Sequence, residues 1–86
     1  MHFVYVIRNA VGRLYVGCTS DVARRLLDHN AGISKWTRSR GPWALVWQKP
    51  FSSLGEARKH ENLLKRQKGG DGFYNLTGIG KPGPGS

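Results

Sequence analysis

Five residues of this chain, Tyr5, Tyr15, Arg25, His29 and Glu61, carry side chains that together can handle a phosphodiester. Hydrolysing that bond needs a deprotonated water, stabilisation of charge on the phosphoryl oxygens, and help for the leaving oxygen. Arg25 can grip a phosphate through two hydrogen bonds in a fixed fork. A tyrosine can take a proton from water if nearby cations lower its pKa, and the net charge of +9 favours that. His29 can relay a proton or orient a phosphate. Glu61 can hold a Mg²⁺ ion that keeps most of its waters. Each residue also has an ordinary use. Arg25 suits a solvated surface, the tyrosines a core with their hydroxyls satisfied at its edge, and His29 a structural position. Glu61 can be a salt-bridged helix carboxylate, with Arg24, Arg58 or Lys65 as partner.

The elements that must position these residues follow from the pattern. Phe3 to Arg8 is β-branched and aromatic and reads as a strand, apolar on both faces and so buried on both sides. Asn9 to Gly12 is a turn, with the hairpin closing around Ala10 and Val11, and Arg13 to Cys18 is the second strand. The hairpin brings Tyr5 near Tyr15, but the register decides whether they share a face. Gly17 within a strand marks a bulge or a close approach. Thr19, Ser20 or Asp21 can cap a helix over Val22 to Asn30, whose apolar side is Val22, Ala23, Leu26 and Leu27. Arg25 and His29 are four apart and share one side of it. Gly32 is its natural stop.

Ile33 to Pro42 is a basic loop. Trp43 to Lys49 alternates, with Trp43, Leu45 and Trp47 on one face, and reads as a third strand ended by Pro50. Ser53 and Glu56 form a capping box that opens a helix over Leu54 to Gln67. Glu61 falls on the inward stripe of that helix, where a carboxylate is costly without a partner. Lys68 to Tyr74 reads as a turn-rich connection, GGDG at 69–72 as a turn, and Phe73 to Leu76 as a short return segment docking Phe73 and Leu76. One domain is expected over residues 1–78, with a flexible tail over 79–86.

Bulk composition narrows the setting. Eighty-six residues make one small domain with a modest core. Cys18 is the only cysteine, which excludes an internal disulfide and points to a reducing, cytoplasmic environment. There is no signal-like segment, and no apolar run near the roughly 18 residues that span a bilayer, so no membrane partner is expected. Fourteen Lys and Arg against five Asp and Glu point to a polyanion, nucleic acid before membrane. The H-E-x-x-H and C-x-x-C metal motifs and the phosphate loop G-x-x-x-x-G-K-[ST] are absent.

Tyr5, then Tyr15-Val16-Gly17, then Arg25, His29 and Glu61 resemble the GIY-YIG nuclease domain in order and spacing. The resemblance runs over residues 2 to 78 and is strongest to the small single-domain branch, which is similar to the N-terminal nuclease domain of the excinuclease C subunit. HNAGISKWTRSRGPWALVW and EARKHENLLKRQKGG are similar to stretches typical of that branch. The first motif here is Phe3-Val4-Tyr5, so its tyrosine alone matches, and Cys18 stands where the excinuclease subunit often has lysine. The resemblance implies an α/β (α+β) domain, a three-stranded antiparallel sheet flanked by helices. It implies an endonuclease hydrolysing DNA with one Mg²⁺, for which Mn²⁺ can substitute, in DNA repair or recombination. Arg25 would bind the scissile phosphate, one of Tyr5 and Tyr15 would activate water, and His29 would sit in a His or Tyr position. Glu61 would be the single metal ligand, and Asn75 is similar to a late asparagine that steadies the site. Lys35, Trp36, Arg38, Arg40, Arg66 and Lys68 are the expected DNA-binding residues, with a protein partner supplying target choice. The rival expectation is a nucleic-acid-binding module that keeps the fold without turnover.

Overall fold

The computed structural model describes residues 1–33, 37, 40–68 and 70–79. Its elements run β1 (His2–Asn9), β2 (Leu14–Thr19), α1 (Val22–Asn30), β3 (Trp43–Phe51), α2 (Leu54–Gln67) and α3 (Asp71–Thr77). The strands form one antiparallel sheet in the order β2-β1-β3. This is the expected α+β architecture, with helices against both faces of a three-stranded sheet. No helix among the described residues is long and apolar enough to cross a membrane.

β1 is the central strand, and Val4, Tyr5, Val6 and Ile7 are all buried, as a strand apolar on both faces requires. Its register with β2 pairs Tyr5 with Gly17 and Ile7 with Tyr15. Partners across an antiparallel pair share a face, so both tyrosines lie on one side of the sheet. That side also gathers Ile7 and Trp43, packed by Val22 and Leu26 of α1 and by Leu45. The other side gathers Val4, Val6 and Val16 with Ala57, Leu64 and Phe73.

Several local expectations are corrected. The single-face reading of Trp43, Leu45 and Trp47 fails at a bulge. Val6 pairs with Trp47 and Ile7 with Leu45, leaving Val46 as an extra residue. The bulge reverses the alternation, so Trp43 and Leu45 pack on the tyrosine side and Trp47 on the other. β3 also runs through Pro50 to Phe51. It is an edge strand, where alternate N–H groups face outward and proline removes no ladder bond. Residues 71–77 form a helix rather than a turn and a return segment. Gly70 sits at its N-cap and Phe73 is buried, but Leu76 is exposed and Thr77 is buried instead. Ile79, expected in a tail, packs at the edge of the α2–α3 core, and 80–86 lie outside the described residues.

α1 has the expected limits. Asp21 is the cap, accepting the Arg24 N–H at 3.1 Å. Its inward face is Val22, Leu26 and His29, while Ala23 and Leu27, expected among its apolar contacts, are exposed. In α2 Ser53 Oγ accepts the Glu56 N–H at 3.2 Å. The Glu56 carboxylate accepts from the Ser52 hydroxyl at 3.3 Å instead of completing the expected box.

Candidate active site

Tyr5 is the centre of the site, and a glycine makes room for it. A Cβ on Gly17 would come within 2.5 Å of the Tyr5 Cζ, so any side chain there would expel the ring. The close approach suspected from Gly17 in a strand is thus an approach of the neighbouring tyrosine. The Tyr5 hydroxyl meets His29 Nε2 at 2.7 Å. The other ring nitrogen, Nδ1, meets Thr37 Oγ1 at 2.7 Å. Tyr5, His29 and Thr37 are essentially inaccessible to solvent. The backbone carbonyl of Thr37 accepts the Trp43 indole N–H at 3.1 Å. Asn30 next to His29 clamps Trp43 from the helix end: its Oδ1 accepts the Trp43 N–H at 2.7 Å and its Nδ2 donates to the Trp43 carbonyl at 3.0 Å.

Tyr15 completes the aromatic cluster. Its ring lies 6.4 Å from Tyr5 and 4.9 Å from His29, edge-on to the imidazole, and it is half-buried where Tyr5 is closed off. Burial pushes the Tyr5 phenol up to about 12 and Tyr15 adds to the rise, while the Arg25 guanidinium beside it pulls the other way. Burial, and after it Arg25, holds His29 below its ordinary 6.5, with Asp28 opposing. Both groups are therefore neutral at pH 7. A neutral imidazole has one donor and one acceptor nitrogen, and the two hydroxyls occupy both.

Arg25 lies one helical turn before His29 on the half-buried side of α1, its closest described carboxylate being Asp28 at 3.9 Å. Glu61 approaches from α2. Its field reaches Cys18, on the α2 side of the sheet, and also Tyr5 on the opposite side. Its side chain is 14% exposed, and Oε2 accepts from Lys65 Nζ at 2.9 Å. Of the partners considered from the sequence, Lys65 is the one used.

A metal here would have one protein carboxylate. Among the described residues no three His, Cys, Asp or Glu cluster as ligands. That donor set suits a hard cation that keeps most of its water, and not zinc or calcium, which need more protein ligands.

The structure thus brings together Tyr5, Tyr15, Arg25 and His29, and links Glu61 to them through its field on Tyr5. Asn75 sits on the exposed side of α3, with no hydrogen bond to that group among the described residues. Arg40 and Arg66 are exposed. The Lys68 ammonium donates to the Leu14 carbonyl at 2.7 Å and ties the end of α2 to β2. Lys35, Trp36 and Arg38 lie outside the described residues. Thr37 and Asn30 were missed from the sequence. Thr37 stands among loop cations with no periodicity linking it to His29, and Asn30 reads only as a helix end.

A model of the GIY-YIG catalytic domain matches residues 1–75, and the chain belongs to the GIY-YIG family, as the resemblance implied. Membership supports a nuclease acting on DNA in general. The chain is 40% identical over 79 residues to a UPF0213 protein of Nitratidesulfovibrio vulgaris, covering 91% of this chain and 72% of that one. It is 45% identical over 67 residues to the UPF0213 protein VNG_2274C of Halobacterium salinarum, covering 77% and 87%. Among solved structures, the solution NMR structure of the UPF0213 protein BH0048 from Bacillus halodurans matches at 41% identity. That match covers 76% of this chain and 70% of the other, with a TM-score of 0.48.

Proposed function

We propose that this chain is a Mg²⁺-dependent endonuclease that hydrolyses DNA phosphodiesters, with Mn²⁺ able to substitute, and that it serves DNA repair or recombination in the cytoplasm. The observation that carries the reading is the cluster of Tyr5, Tyr15 and His29 on one side of the sheet, with Arg25 beside it and the field of Glu61 reaching Tyr5 from α2. In this reading Arg25 binds the scissile phosphate and opposes the charge that develops on its oxygens. Tyr5, kept protonated by burial, holds His29 and packs beside Tyr15. Tyr15 is then the tyrosine left to take a proton from the attacking water, whose oxygen bonds to phosphorus as the ester oxygen leaves. Glu61 would hold the metal, which supplies Lewis-acid stabilisation and a lowered water pKa.

A second reading, a DNA-binding module without turnover, is favoured by one observation: Lys65 already partners the Glu61 carboxylate as in any structural ion pair. Nicking of supercoiled plasmid in Mg²⁺ or Mn²⁺ separates them. Wild type should nick, and EDTA should stop it. Arg25→Ala and Glu61→Gln should each slow nicking by about 100-fold or more. Equal nicking by all three proteins would sink the site assignment. Binding with steep salt dependence and no nicking by any of them would establish the binder reading.

A further inference from the structure

At the β3 edge, across the sheet from β2 and its Tyr15, α2 and the end of β3 leave a hollow of about 410 Å³. It is lined by Phe51, Glu56, Lys59, His60, Leu63 and Arg66. Its wall is aromatic. The His60 ring lies 5.1 Å from Phe51 and stacks on Trp47 at 6.0 Å with 24° between planes. Burial, and after it Lys49, keeps that imidazole below its ordinary 6.5, so at pH 7 it is a neutral aromatic. Its Nε2 is buried without a hydrogen-bond partner, a costly arrangement that leucine would avoid. The rim is cationic: Lys59 and Arg66 line it, and Lys49 Nζ stands 5.6 Å over the Phe51 ring. Glu56, which accepts from Ser52, is the one carboxylate lining it.

A second hollow of about 560 Å³ continues over α2, lined by Lys59, Asn62, Lys65 and Arg66. Lys59 and Arg66 belong to both hollows, and Lys65 at the far end grips Glu61. Cations therefore run from the aromatic hollow across α2 to the carboxylate of the candidate active site.

We propose that this surface takes single-stranded DNA: one unpaired base sits against Phe51, His60 and Leu63, and the backbone follows Lys59, Arg66 and Lys65 towards Glu61. Aromatic side chains accept any base, because every base has a π-face, and a cationic groove tracks phosphates without reading sequence. A paired duplex keeps its bases stacked inside and cannot fill the hollow. The substrate class is then DNA with unpaired nucleotides beside the cleaved bond, which rests on the nuclease reading above.

The test is fluorescence anisotropy of the full chain in EDTA. The probes are a labelled single strand of about 12 nucleotides, the same sequence as a blunt duplex, and a polyglutamate peptide as an acidic-peptide control. Wild type should prefer the single strand. Phe51→Leu, which keeps apolar bulk and removes the aromatic face, should weaken single-strand binding about tenfold and leave duplex binding unchanged. The exposed pair Lys59→Gln with Arg66→Gln leaves the core untouched and should lower the slope of log affinity against log salt by about 1.4. The proposal is overturned if both variants bind the single strand as wild type does. It is equally overturned if duplex or polyglutamate binds as tightly as the single strand and loses as much in Phe51→Leu. A protein that nicks plasmid while both variants bind normally refutes the strand path alone. Strand binding as described without any nicking refutes the nuclease reading and leaves the path standing.

Discussion

The buried line Tyr5–His29–Thr37 makes this protein's stability depend on pH in both directions. The Tyr5 phenol titrates near 12 in the fold against 10.0 when exposed, so between these values the folded chain holds a proton that the unfolded chain has lost. Unfolding then becomes easier as pH rises, and the loss is on the order of 2–3 kcal/mol by pH 12. His29 and His60 have folded values below 6.5, so below that pH the unfolded chain binds protons that the fold refuses. Stability therefore falls as the solution is acidified through 6.5 and below. We expect urea midpoints to be highest between about pH 7 and 9 and to fall on both sides. A Tyr5→Phe variant should lose the alkaline limb, and an unchanged alkaline limb in that variant would contradict the assignment. The sequence showed the residue types of this line except the last. Arg25 and His29 are four apart on a helix and Gly17 sits inside a strand, both readable as patterns. Thr37 joins them only through the path of the loop, which no local pattern encodes.

The elements were legible where a period or a cap defined them. α1 and α2 were read with their observed limits, because Asp21 and Ser53 satisfy their first N–H groups and the apolar stripes are regular. The Ser53 cap carries this alone, since the Glu56 carboxylate turns to Ser52. Ser53→Ala should therefore cost about 1 kcal/mol in chemical denaturation, while Glu56→Gln should cost about half of that or less. Equal losses would mean that a full reciprocal box operates in solution. β3 was misread for two tertiary reasons. A bulge at Val46 is dictated by what β1 offers for pairing, and Pro50 is tolerated only because β3 lies at an edge. α3 was missed because DGFYNLT carries two turn-forming residues at its start. Burial of Phe73 against α2 outweighs their poor helix propensity.

For the whole molecule, the charge of +9 was the clearest bulk signal, and family membership agrees with the nucleic acid it implied. Where that charge meets aromatic surface, between the end of β3 and α2, was not legible, because Phe51 and His60 meet only once β3 and α2 have packed. The strand order has a further consequence, which concerns time. β1 comes first in the chain yet lies in the middle of the sheet. Its pairing with β2 closes a short turn, Arg8 to Leu14, whereas its pairing with β3 joins Asn9 to Trp43 across all of α1. Short closures cost less entropy and occur sooner. We expect Val16→Ala in the hairpin mainly to slow refolding and Leu45→Ala in β3 mainly to speed unfolding in stopped-flow experiments; the reverse pattern would refute this order. A nascent chain would then hold its two tyrosines together well before α2, which carries Glu61, has docked.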